Sequence, residues 1–76
     1  MNTDKIKAKY HEKFRKNTDH KKDYMSQLLE RAWHEKDNHP AYNRINGPTF
    51  KDRAELKALN ELIKLYQLQI DIKKGV

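Results

Sequence analysis

Seventy-six residues make one small domain at most, since the share of surface buried on folding falls steeply with chain length at this size. Charged residues (37%) slightly outnumber hydrophobic ones (36%), and Leu, Ile, Val and Phe together number only fifteen, so a lone chain is marginally stable and self-association or a partner is expected. The absence of cysteine excludes disulfides and thiolate zinc sites, while a formal charge of +6 favours an anionic partner.

The positive excess belongs to the N-terminal third. Residues 1–22 hold eight Lys or Arg against three Asp or Glu, residues 23–49 three against four, and residues 50–76 six against four. The opening Met1–Lys7 carries no apolar run of signal-peptide length, and no run reaches the roughly eighteen apolar residues of a membrane span. A cytoplasmic protein with no membrane role is the expectation.

Taken in chain order, a first helix is predicted over 4–17, where Ile6, Tyr10 and Phe14 step by four in a thin apolar stripe. Beside it, Lys5, Lys9, Lys13 and Lys16 line up over about 16 Å of helix. Arg15, Lys21 and Lys22 extend this basic surface. Asn17-Thr18-Asp19 can end the first helix and cap the next, although the register also permits one continuous helix. A second amphipathic helix is predicted over 20–37 from Tyr24, Met25, Leu28, Leu29, Ala32 and Trp33, with Trp33 as its main anchor.

Residues 38–49 hold both prolines and Gly47, and Asn46-Gly47 favours a turn with positive φ. That is a long connection for a helical bundle, and such loops are more often functional or mobile than idle. Thr49 followed three residues later by Asp52 forms a capping-box pattern, so a third helix is predicted over 50–73. Leu56, Leu59, Ile63, Tyr66 and Ile70 step by three and four along its seam, and Ala58, Leu62 and Leu65 widen the apolar face. Lys73 and Lys74 suit its C-terminus, with Gly75 as a left-handed residue beyond. Leu68, Ile70 and Ile72 also alternate as a strand would, but no second strand is available to pair with them.

The resulting fold class is all-α: a small three-helix domain with a basic N-terminal helix and an antiparallel hairpin of the second and third helices. Its expected core is Leu28, Leu29, Ala32, Trp33, Leu59, Leu62, Ile63 and Tyr66.

For function, the sequence holds no Ser-His-Asp order, Gly-rich phosphate loop or Walker lysine, so a non-enzymatic protein without cofactor is expected. The histidines lack metal-site spacing: His34 and His39 lie five apart across a helix end, with His11 and His20 distant. The leading expectation is a nucleic-acid-binding accessory or regulatory protein. Lys5, Lys9, Lys13, Lys16, Lys21 and Lys22 would contact phosphates, and from the loop Tyr42 would stack on a base while Arg44 grips a phosphate, with His39 and Asn43 beside them. RNA and DNA are not distinguished. The more ordinary alternative has Tyr42 and Ile45 tucked under Trp33.

Two other classes stand beside it. One is a small adaptor or inhibitor, in the style of short Lys-rich proteins of phage and mobile elements, that docks Leu56, Leu59, Leu62 and Ile63 on an acidic host-protein surface. The other is a homo-oligomeric structural protein held by the heptad seam of the third helix.

A helix running into His39-Pro40, then a loop and a helix containing Phe50-Lys51 and Leu56-Lys57-Ala58-Leu59-Asn60-Glu61-Leu62, faintly resembles the second and third helices of a J-domain co-chaperone over roughly half the chain. That family's signature tripeptide ends in Asp where this chain has Ala41, so the resemblance does not carry the chaperone-stimulating role with it.

Overall fold

The computed structural model describes residues 3–19 and 23–75. It is all-α, with helices α1 (Thr3–Lys16), α2 (Tyr24–Asp37) and α3 (Phe50–Lys74), a 3-10 turn at Pro40–Asn43, and no strand among the described residues. The strand-like alternation of Leu68, Ile70 and Ile72 lies inside α3. No helix among those residues is long and apolar enough to cross a membrane.

The first helix ends where its sequence stops favouring continuation. Thr18 turns its hydroxyl back to donate to the Phe14 carbonyl at 2.6 Å, and the backbone N–H of Asn17 reaches the same oxygen at 3.2 Å. Local side-chain bonding of this kind competes with the helical ladder and closes it. The break expected near Asn17-Thr18-Asp19 is present, but α2 begins at Tyr24 rather than at 20, with Asp23 as its N-cap. Asp23 makes no side-chain cap bond and instead accepts from the Ser26 hydroxyl at 2.9 Å. Asp19, expected to cap, exchanges backbone hydrogen bonds with the Gln27 amide.

The start of α3 follows the sequence closely. Thr49 Oγ1 accepts from the Asp52 N–H at 3.1 Å, and Asp52 Oδ2 accepts from the Thr49 N–H at 3.0 Å. This reciprocal pair satisfies two backbone donors that a helix N-terminus otherwise leaves open. At the far end Gly75 departs from expectation. Its φ of −88° is not left-handed, and its N–H donates to the Asp71 carbonyl at 2.7 Å. The glycine is needed for close approach, because a Cβ there would stand 2.8 Å from that oxygen. The positive φ sits at Gly47, as the Asn46-Gly47 pair foretells.

The three helices meet in one apolar cluster of Phe14, Leu28, Ala32, Leu59, Leu62, Ile63 and Tyr66, with Tyr10, Tyr24, Met25 and Leu29 packed at its edge. Helices α2 and α3 form the antiparallel hairpin, and α1 lies across them: Lys7 reaches Glu61, His11 reaches Tyr66, and Lys13 reaches Glu35. Two core expectations change. Trp33 is 44% exposed, carries the Lys36 ammonium 4.9 Å above its ring and lies outside the core cluster. Leu28 and Ala32 define the inner line of α2, and Trp33 sits one residue, or about 100°, around the helix from Ala32. Phe14 supplies the buried aromatic ring instead, stacked on Tyr10 with centroids 5.9 Å apart.

Candidate functional site

The connection between α2 and α3 is held by two polar ties to one turn of α3. His39 is 4% exposed, and its Nδ1 accepts the Ala41 N–H at 3.1 Å, so that nitrogen carries no proton. In the neutral ring the proton therefore sits on Nε2, which donates to Glu55 Oε1 at 2.9 Å. Farther along, Arg44 donates from Nε to Asp52 Oδ2 and from Nη2 to Asp52 Oδ1 at 3.2 Å. Asp52 is only 2% exposed, and the Arg44 guanidinium together with the Thr49 N–H holds its carboxyl down at about 2 against an ordinary 3.8.

His39, Asp52 and Glu55 converge closely enough to suggest a cation site. Their bonding argues for a different role. Both carboxylate oxygens of Asp52 already receive donors, and neither His39 nitrogen has a lone pair free, since one accepts an amide and the other donates to Glu55. The trio is a clamp that shapes the loop.

This clamp revises the loop residues named from sequence. His39 is buried and unable to stack on a base, and Arg44 is engaged with Asp52 while its side chain stays 45% exposed. Tyr42 remains exposed, and so does Ile45, so neither tucks under Trp33. No local sequence pattern pairs Arg44 with Asp52. The one available signal was that a capping carboxylate at the foot of a helix gains from a nearby cation.

Burial of Phe14 fixes the rotation of α1 and turns Lys5, Lys9, Lys13 and Lys16 into solvent. They are not equivalent. Lys13 Nζ lies 2.8 Å from Glu35 of α2, across the mouth of a shallow cleft shared with Asn17, Gln27, Arg31 and His34. Lys16 stands 3.7 Å from Glu12, an exposed pair of the weakest kind. Lys5 and Lys9 enter no ion pair among the described residues. Lys7 and Arg15 pair with Asp4 and Glu12 respectively. Lys21 and Lys22 lie outside the described residues.

On the core side, the Tyr66 hydroxyl and His11 Nδ1 lie 2.6 Å apart, a bond whose direction follows the imidazole tautomer. Burial pushes the Tyr66 phenol up to about 12, with Tyr24 adding to the shift. Tyr10 rises to about 12 as well, through burial first and then the carboxylates of Glu55, Glu35 and Asp52. Elsewhere the surface shows more large apolar side chains than a small domain needs: Phe50 at the start of α3, and Leu65, Leu68 and Ile72 along its second half. By contrast Leu59, Leu62 and Ile63, named as docking anchors for a host protein, are buried in the core.

The chain matches no family model, no curated protein and no solved structure. The J-domain likeness of α2 and α3 therefore has no family match behind it, and Ala41, where that family carries aspartate, is buried against the fold.

Proposed function

We propose that the chain is a non-enzymatic nucleic-acid-binding accessory or regulatory protein that lays the outer face of α1 along a phosphate backbone. The observation that carries this reading is the pair Lys5 and Lys9, exposed and in no ion pair among the described residues, continued by the weakly paired Lys16, on the side of α1 opposite the core. Lysines so placed bind phosphates by releasing condensed counterions, which gives sequence-independent affinity. Lys13 plays a lesser part because Glu35 competes for it, as Asp52 does for the half-exposed Arg44. Tyr42 offers an exposed ring for stacking beside a loop that the clamp keeps in shape.

The test is anisotropy of labelled short RNA, single-stranded DNA and duplex DNA over a salt series. Affinity should fall steeply with salt, and a Lys5→Gln, Lys9→Gln, Lys16→Gln variant should flatten the log–log slope by about two to three. Binding that is absent at low salt, or indifferent to salt, overturns the proposal.

A second reading, docking on a protein surface, is favoured by one observation only. Phe50, Leu65, Leu68 and Ile72 of α3 are left exposed by the packing of the described residues.

A further inference from the structure

From the second half of α3 we infer that the chain pairs with a second copy of itself, α3 against α3 in antiparallel orientation, through Leu65, Leu68 and Ile72. These three side chains are 48%, 55% and 55% exposed. Their spacing of three and four residues places them on one edge of the helix, the arrangement that a two-helix seam requires. The same edge is covered earlier in the helix. Ala58 is fully buried, and Glu61 is met by Lys7 from α1. The edge is thus covered at Ala58 and Glu61 and exposed at Leu65, Leu68 and Ile72. Position around the helix explains why: Tyr66, between Leu65 and Leu68, is buried and meets His11 of α1, while Leu65, Leu68 and Ile72 point away from that core face.

Charge identifies the occupant. Lys64 and Asp71 flank the apolar edge on one side, seven residues apart in sequence, and both are exposed. When two copies of α3 run antiparallel about a two-fold axis between Leu65 and Leu68, Leu65 of each copy meets Leu68 of the other. Lys64 of each then stands opposite Asp71 of the other, so the same pair forms twice. A parallel arrangement places Lys64 beside Gln69 and leaves Asp71 unmatched. A surface of one sign matches only one of these two residues, whereas a second copy complements both at once. Such a self-complementary patch is what a two-fold interface demands. The inference stands apart from nucleic-acid binding, although a dimer presents two α1 faces to one polyanion.

Sedimentation equilibrium of the full chain across a wide concentration range tests this. The expected mass rises from 9.2 kDa toward twice that value. Leu68→Glu should weaken association by at least about tenfold, as loss of a central anchor does. Because Leu68 is half exposed, the helical circular dichroism should not change. Lys64→Asp and Asp71→Lys should each weaken the dimer, and the double swap should restore it. A chain that stays monomeric at every concentration, or a dimer indifferent to Leu68→Glu, overturns the proposal. A dimer that needs Leu68 but ignores both single charge reversals overturns the antiparallel register.

Discussion

Arg44 and Asp52 form a two-pronged ion pair that ties the connecting loop to the N-terminal turn of α3. Asp52 also completes the capping box with Thr49, so one buried carboxylate serves both the helix start and the loop. Its folded value of about 2 lies below the ordinary 3.8, which means that folding favours its charged form. The stability this contributes is fully present above pH 3.8 and is lost as pH falls toward about 2. Arg44→Ala should therefore lower the urea midpoint at neutral pH. Asp52→Asn should remove most of the decline across that acid window, and equilibrium unfolding of the three proteins over a pH series measures both effects.

Leu59 and Trp33 give a sharp contrast in core energetics. Leu59→Ala empties a fully buried site and should cost about 2 to 5 kcal/mol, comparable to the whole stability of so small a domain. Trp33→Ala removes an exposed ring and its cation–π contact, worth about 0.5 to 1 kcal/mol, so that variant should stay folded. Thermal unfolding followed by circular dichroism separates the two. A Trp33→Ala chain that is unfolded at room temperature would contradict the placement of the ring.

The same contrast shows where the sequence was informative. The third helix was legible because its capping box, apolar period and terminal lysines agree on one segment. The inner faces of α2 and α3 were legible because Leu28 and Ala32, and Leu59, Ile63, Tyr66 and Ile70, recur at helical spacing. The burial of Phe14 and the exposure of Trp33 share one cause. Phe14 lies on the thin stripe of α1 and Trp33 at the edge of the stripe of α2, and which of them becomes interior depends on where α1 packs, which no local pattern encodes. The lysine face of α1 was visible from spacing alone, but Glu35 comes near Lys13 only through that crossing. The clamp was hidden because His39 meets Glu55 over sixteen residues, and Arg44 meets Asp52 over eight, through a turn that places them side by side.

At the other end of the pH scale, Tyr10 and Tyr66 are raised from 10.0 to about 12. A phenol with a raised folded value favours its neutral form in the fold. Its contribution is fully present below pH 10.0 and is lost as pH rises through about 12. The chain should unfold across that alkaline interval, with tyrosinate absorbance appearing together with loss of helix. Tyr66→Phe should soften the transition while costing about 0.5 to 1.5 kcal/mol at neutral pH through the lost bond to His11.

The lysines of α1 supply the prediction that separates structure from function, because their surroundings differ while their chemistry does not. Lys13→Gln removes an ion pair that joins α1 to α2, so its effect should appear in stability, at up to about 1 kcal/mol for so exposed a pair. Lys9→Gln breaks no ion pair among the described residues and should leave stability unchanged. If α1 binds phosphates, Lys9→Gln should nevertheless lower oligonucleotide affinity and reduce the salt slope by about one. Lys13→Gln should change that slope less, since Glu35 already offsets its charge in the free protein. Measuring unfolding and salt-dependent binding on both variants decides the matter. Equal slopes for Lys9→Gln and the unsubstituted chain would show that the outer face of α1 is solvated surface and no more.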